Sequence, residues 1–130
     1  MLNNVFGEMV FDDGWETKFS IMLWGKNYEI TVDAEAYEET DGITAEQEES
    51  FGMFKKLQLE KQERIELLLL QYFGNRLDTV KLRDRLTPES IIVEQAGRCA
   101  MLFDDKEDPD NGIAVVFFPE EKVMTQDEYF

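Results

Sequence analysis

The chain has 130 residues and a mass of 15.2 kDa, and its 29 acidic and 13 basic residues give a formal net charge of −16. This length suits a single domain, residues 1–130, that buries its own core without disulfides or a structural metal. Hydrophobic residues make up 43% of the chain, too many for a disordered segment. So acidic a surface repels phosphates, and we expect no direct binding to nucleic acid and no attachment to membranes.

The same composition indicates a cytoplasmic location. No apolar run is long enough to span a bilayer, and the start MLNNVFGEMVF lacks the basic flank and cleavage site of a signal peptide. The single cysteine, Cys99, lies in the apolar run CAMLF, where we expect it to be buried rather than reactive. A lone buried thiol fits a reducing compartment.

The first third of the chain has the alternating pattern of half-buried strands. The segments VFGEMVF, ETKFSIML and YEITVD are separated by the turn signals DDG and GKN. They predict a three-strand antiparallel meander. Its open edge could pair with a second copy of the chain, so the sequence leaves the oligomeric state undecided and allows a homodimer.

A helical region follows over residues 44–74. Thr44 and Gln47 form a capping-box signal, and the segment ends at Gly74-Asn75, a left-handed cap signal. The polar stretch LQLEKQER separates two apolar stripes, which are Phe51, Phe54 and Leu57, then Ile65, Leu68, Leu69 and Tyr72. We predict a break near residues 57–59, because one helix of 30 residues is long for a domain of this size; a single long helix is the alternative.

The rest of the chain returns to strands. The basic segment RLDTVKLRDRL predicts either a short helix or an irregular connection, and its bases are expected to pair with the chain's own acids. LTPES predicts one helical turn, with Thr87 as its cap and Pro88 at its first position. IIVEQ, RCAMLFD and IAVVFF are rich in branched and aromatic residues, as strands are.

This order of elements predicts an α+β fold. We expect a mainly antiparallel sheet, made of the N-terminal three-strand meander and C-terminal hairpin strands, with one or two central helices packed on one face. Trp15 and Trp24, each beside a turn glycine, are expected to cap the core rather than to lie exposed as binding anchors.

The acidic stretch LFDDKEDPDNG predicts a turn rather than a calcium loop. Pro109 suits the second position of a type I turn, and Gly112 suits a left-handed conformation after it. The turn would pair RCAMLFD with IAVVFF, with the acids in a longer loop. Neither register starting at Asp105 or Asp108 places acids and glycine where an EF-hand requires them.

The sequence lacks the residues that most catalytic mechanisms require. It has no histidine and one cysteine, which excludes Ser-His and Cys-His pairs and ordinary zinc sites. It also lacks the glycine-rich motifs that cradle phosphates. We therefore expect no enzyme, no catalytic residue, no metal ligand and no cofactor; a carboxylate-based hydrolase is the least favoured alternative, because nothing selects one pair of acids.

Several segments in this order resemble a bacterial family of small domains of unknown function. They are FGEMVFDDGW, DGITAEQEESFGMF, LTPESIIV, LFDDKEDPDNGIAVVFF and VMTQDEYF, which together span nearly the whole chain. Some members of that family are regarded as immunity proteins of polymorphic or contact-dependent toxin systems. The resemblance implies an α+β fold and brings no catalytic residues with it.

These observations favour a non-catalytic acidic binding protein, such as an immunity protein that neutralises a basic toxin. Acidic surfaces attract basic proteins and speed their encounter. The predicted partner-binding surface comprises Glu35, Glu38, Glu39, Asp41, Asp104, Asp105, Glu107, Asp108 and Asp110. The alternative is a housekeeping or scaffold domain with no specific ligand, whose charge serves solubility alone.

Overall fold

The structure is a computed structural model that describes residues 1–74 and 76–130. The strands in these residues are β1 (Leu2–Asn3), β2 (Gly7–Glu8), β3 (Val10–Phe11), β4 (Trp15–Leu23), β5 (Lys26–Ala34), β6 (Leu86–Val93), β7 (Cys99–Asp105), β8 (Ile113–Phe118) and β9 (Lys122–Met124). The helices are α1 (Ala45–Lys56), α2 (Gln58–Tyr72), α3 (Thr79–Arg85) and α4 (Gln126–Tyr129), with a 3-10 turn at Glu39–Asp41.

Seven strands form one sheet in the order β3-β4-β5-β6-β7-β8-β9, and β1 and β2 form a separate ribbon. Every neighbouring pair is antiparallel except β5 and β6, which run parallel. Helices α1 to α3 lie between these two strands in the chain, and a parallel pair needs such a crossover connection. The mixed helix and strand content and the mostly antiparallel sheet confirm the coarse prediction.

The predicted meander is present as β3-β4-β5, but its first strand is much shorter than predicted. Only Val10 and Phe11 pair with β4, opposite Glu16 and Trp15. Gly7 adopts a φ of 83°, a left-handed value that interrupts an extended strand. The residues before Met9 instead fold into the two-residue strands of the β1–β2 ribbon.

The second and third predicted strands pair with each other, but their turn is displaced. It consists of Trp24 and Gly25, with φ of 53° and 74°, so that Leu23 lies opposite Lys26. Two positive φ values are the mark of a type I′ hairpin turn. GKN was therefore the wrong turn, because its last two residues belong to β5.

The helical region begins and divides as predicted. Thr44 Oγ1 accepts the Gln47 backbone N–H at 3.1 Å, and the Gln47 side chain accepts the Thr44 N–H at 2.8 Å. Leu57, with φ −110° and ψ 30°, separates α1 from α2. Gly74 is left-handed with a φ of 65°, whereas Asn75 lies outside the described residues.

The segment after α2 contains the short helix that was one of the two predicted alternatives, but not the predicted helical turn at LTPES. Residues Thr79–Arg85 form α3, the helical alternative for the basic segment, with Asp78 as its N-cap. LTPES is not a helical turn, because β6 begins at Leu86, directly after α3. Pro88 is tolerated in this strand because β5 pairs with β6 only from Ser90 onward, so the proline is not required to donate a hydrogen bond to β5.

The sheet curls around helices α1 and α2. Phe54 of α1 packs against Phe19 of β4, with ring centroids 6.2 Å apart, and against Phe117 of β8 at 5.0 Å. In a flat sheet these strands would lie four spacings apart, about 19 Å. The concave face therefore holds the main core, to which α1, α2 and α3 all contribute buried residues.

A smaller apolar cluster occupies the convex face of the last strands. Short side chains of β7 and β8 are fully buried there beneath the C-terminal segment, with Tyr129 packed against them. The cluster consists of Ile92, Ala100, Leu102, Ala114, Val116, Met124 and Tyr129. Helix α4 thus lies on the face opposite the other three helices.

The three side chains expected in the core are buried. Trp15 and Trp24 belong to the main core, which confirms that they are buried rather than exposed, and Cys99 is fully buried with no disulfide. Among the helices of the described residues, none has both the length and the apolar character required to cross a bilayer.

Candidate partner-binding surface

The two acidic segments predicted to form one surface lie at opposite ends of the sheet. Ala34, at the end of β5, pairs with Val93, and Val93 pairs with Cys99 at the start of β7. Asp105 stands at the other end of β7, six residues or about 20 Å away. Residues 35–41, here called the acidic loop, and residues 104–110, here called the hairpin tip, are therefore two separate surfaces.

The backbone of the acidic loop is held by its own residues and by the sheet. The Glu35 N–H donates to the Val93 carbonyl oxygen at 2.9 Å. Further along, Asp41 Oδ2 accepts the backbone N–H groups of Tyr37 and Glu38, both at 3.0 Å. Asp41 is thus a structural residue of the loop as well as a charge on its surface.

Gln47, a buried residue of α1, connects the acidic loop to the sheet. Its Nε2 donates to the carbonyl oxygens of Glu35 and Val93, both at 2.9 Å, while its Oε1 accepts the N–H of Thr44. One amide side chain therefore joins the loop, the N-terminus of α1 and the end of β6. A loop fixed in this way loses little conformational entropy when a partner binds.

The side chains of the acidic loop face outward. Tyr37 is 81% exposed, and Glu38, Glu39 and Asp41 are exposed around it, with Glu35 half-buried. None of the ion pairs within the described residues involves an acid of this loop. Tyrosine is enriched at the centres of interfaces, so an exposed tyrosine among unpaired acids is a candidate anchor.

Asp33 extends the acidic surface onto the adjoining strand. Burial, together with the charges of Glu16, Glu35, Asp12 and Asp13, raises the pKa of this carboxyl to about 6. Its Oδ1 is buried without a hydrogen-bond partner in the described residues, above Gly14, where a Cβ would overlap it. Ionised Asp33 therefore destabilises the folded state, and a cation bound near it would reduce this destabilisation.

Asp105 does not belong to the surface of the hairpin tip. It is 2% exposed, and its carboxylate accepts Arg85 Nε at 2.8 Å and Nη2 at 3.0 Å. Burial alone would raise the pKa of Asp105, but the Arg85 guanidinium and the Glu107 backbone N–H lower it below its ordinary value. This prediction was wrong, because the carboxylate faces inward to meet a base of α3.

The remaining acids of the hairpin tip are partly neutralised. Arg85 Nη1 also contacts Glu107 Oε2 at 3.0 Å, and Asp108 accepts the Asn111 side-chain amide at 3.0 Å. Asp104 and Asp110 are exposed. Gly112 has a φ of 61°, and residues 106–112 separate the strands, which confirms the left-handed glycine and the long loop.

The sequence reasoning missed Tyr37. Its signal was present, since AEAYEETDG places one aromatic residue in an otherwise polar and acidic segment. The five residues that follow it, EETDG, are acidic, polar or glycine, which favours exposure. The aromatic side chain exposed on the acidic loop is thus Tyr37, whereas both tryptophans are buried.

The described residues contain no group of three or more His, Cys, Asp or Glu side chains arranged to hold a metal ion. Four clefts of about 180 to 400 Å³ lie on the surface, and Asp33, the acid with the raised pKa, lines none of these four. Glu94, which lines one of them, accepts a hydrogen bond from Tyr129 and lies near Arg98.

Comparisons with models of known protein families, with curated proteins and with solved structures find no match to this chain.

Proposed function

We propose that this chain is a non-catalytic protein that binds a basic protein through its acidic loop, as an immunity protein binds a toxin. The resemblance to a family with such members supports the immunity role. The proposed surface is narrower than the sequence predicted, because it comprises the acidic loop and not the hairpin tip.

The observation that carries this proposal is the exposure of Tyr37 on a loop with a fixed backbone. Burying a large tyrosine side chain on binding contributes more than a lysine or glutamate contact of the same area. The loop already holds its conformation through Asp41 and Gln47. The loop therefore combines an exposed aromatic anchor with carboxylates on a fixed backbone. A surface that served only solubility would need neither.

The charge distribution favours the acidic loop over the hairpin tip. Residues 35–41 contain four acids and no base, and none of these acids is in an ion pair within the described residues, whereas Arg85 pairs with two acids of the hairpin tip. Unpaired charges steer an oppositely charged partner and accelerate its association. The carboxylates of the loop would occupy the positions that substrate phosphates take on a basic toxin.

Co-purification with the product of the upstream gene tests the proposal. We expect a complex that dissociates as salt is raised, because its attraction is partly between exposed charges. Tyr37→Ala should weaken it at least tenfold, about 1.4 kcal/mol, as expected for an interface anchor. Tyr72→Ala, which removes an exposed tyrosine of α2, is the matched control and should not weaken the complex.

Two outcomes would contradict the proposal. A complex that survives neutralisation of the acidic loop with unchanged affinity would show that another surface binds. No complex with that product would contradict the immunity role, and it would favour a scaffold domain whose charge serves solubility.

A further inference from the structure

A groove lined by more basic than acidic residues lies at the hairpin-tip end of the molecule. One cleft of about 400 Å³ is lined by Leu77, Lys81, Asp84, Arg85, Lys106 and Glu107. A second cleft of about 250 Å³ shares three of these residues and adds Phe73 and Arg76. The two clefts adjoin along Leu77 and Arg85, and together they are called the basic groove.

The basic groove reverses the charge balance of the chain. Four of the 13 bases line it, but only two of the 29 acids do. The chain as a whole presents an anion with a surplus of carboxylates, whereas the lining of this groove carries more cations than acids. The groove is thus the place where a small anion would be tolerated.

Arg85 forms a fixed wall of the groove rather than a free cation. Its guanidinium holds Asp105 and Glu107 and lies over the Phe73 ring, with Cζ 4.6 Å from the ring centroid. Its single positive charge balances only one of these two carboxylates, so one negative charge of this pair, together with Asp84, opposes the other bases.

Three cations remain available to a ligand. Lys81, Lys106 and Arg76 form no ion pair within the described residues. The Nε of Arg76 donates to the Phe73 carbonyl oxygen at 3.0 Å, which positions its guanidinium at the groove, and its Nη groups form no ion pair with the part of the chain that the structure describes. Two ammonium groups and one guanidinium can therefore donate to an anion.

The floor of the groove limits the kind of anion. Leu77 is half-buried and lines both clefts, so the floor offers apolar contact there, whereas the Phe73 ring lies beneath the Arg85 guanidinium. A second negative charge would be repelled by Asp84 and by the chain's net charge of −16. We infer that the basic groove binds a small monocarboxylate with an aliphatic or aromatic body, a property independent of the proposed partner surface.

Titration with sodium hexanoate, followed by amide chemical shifts at constant ionic strength, tests the inference. We expect saturable shifts confined to residues around Leu77, Lys81 and Glu107. The double variant K81Q/K106Q should weaken binding about tenfold or more, because it removes two charge-assisted contacts. The double variant K26Q/K122Q carries the same charge change away from the groove and should bind as the unaltered chain does.

Two further probes separate the charge from the apolar body. 1-Hexanol has the same chain without the charge, and inorganic phosphate has charge without the chain. Equal binding of hexanol would overturn the role of the cations, and equal binding of phosphate would overturn the role of the floor. Absence of saturable hexanoate binding, or equal loss in both double variants, would overturn the inference itself.

Discussion

The Oε1 atom of Gln62 in helix α2 accepts the backbone N–H of Met22 in strand β4 at 2.8 Å. Two neighbouring side chains make similar contacts, since Gln58 Nε2 donates to the Ser20 carbonyl oxygen and Glu66 accepts the Trp24 N–H, both at 3.0 Å. The three helical side chains are four residues apart, a rise of about 6 Å, and their backbone partners are two residues apart, about 6.6 Å along the strand. The two spacings therefore match. Helix α2 thus takes the place of a neighbouring strand along the edge of β4.

Replacing Gln62 with methionine should destabilise the fold by about 1 to 2 kcal/mol, because the variant keeps the volume but leaves the Met22 N–H without an acceptor. Urea denaturation monitored by tryptophan fluorescence measures the change. Glu63→Ala, on the exposed side of the same helix, is the control and should change stability by less than about 0.5 kcal/mol. Equal effects of the two variants would show that the edge contact does not contribute.

Asp33→Asn should stabilise the protein at neutral pH. The pKa of Asp33 is raised from 3.8 to about 6, so the folded state binds its proton more tightly than the unfolded state does. Its contribution to stability therefore decreases as pH rises from about 4 to 6, and stays low above that.

At pH 7 we expect a gain of about 1 kcal/mol for this variant, a figure reduced to allow for solvent screening of a partly exposed group. The gain should vanish by about pH 3, where the carboxyl is mostly protonated in both states. Thermal denaturation from about pH 3 to 7 is the measurement, with Asp110→Asn as an exposed control. A loss of stability at pH 7 would mean that the carboxylate has a favourable partner.

Asp105→Asn should destabilise the protein by about 2 to 3 kcal/mol at pH 7, because the partly buried Arg85 loses its charged partner. The pKa of Asp105 is lowered in the folded state, so its stabilising effect is present above its unfolded pKa and is lost as pH falls through the folded pKa. Chemical denaturation at pH 7 and pH 3 measures both effects. Asp104→Asn changes the exposed neighbouring acid, and a similar loss there would contradict a specific role for the ion pair.

Cys99 should resist alkylation in the folded protein. Burial raises the pKa of its thiol to about 11, which alone reduces the thiolate at pH 8 about a hundredfold. Iodoacetamide labelling followed by mass spectrometry should be at least that much slower than in the urea-unfolded chain. Rapid labelling without denaturant would show that the C-terminal strands open readily.

Local signals predicted much of this fold. Thr44 and Gln47 form their capping box, Leu57 breaks the helical region, and Gly112 turns the chain between β7 and β8. Each of these features is determined by a few adjacent residues, so it could be predicted from a short segment of sequence. Gly7 is the counterexample, because its left-handed conformation interrupts a pattern that otherwise fits a strand.

Features that depend on distant residues could not be predicted in this way. Thr87 and Pro88 suit a helix start, but pairing with β7 places them in a strand. The parallel pairing of β5 with β6 brings residues 34 and 93 together, and this pairing separates the acidic loop from the hairpin tip. Asp105 looked like a surface acid because its partner, Arg85, lies 20 residues away in the chain.

The most direct test of the proposed function compares two variants that each lose four carboxylates. One neutralises the acidic loop, E35Q/E38Q/E39Q/D41N, and the other neutralises the hairpin tip, D104N/E107Q/D108N/D110N. Isothermal titration calorimetry with the basic partner recovered by co-purification gives their affinities at one salt concentration. We predict that the loop variant binds at least about tenfold more weakly than the tip variant, which should stay close to the unaltered chain. Equal affinities, or a greater loss in the tip variant, would contradict the assignment of the binding surface to the acidic loop.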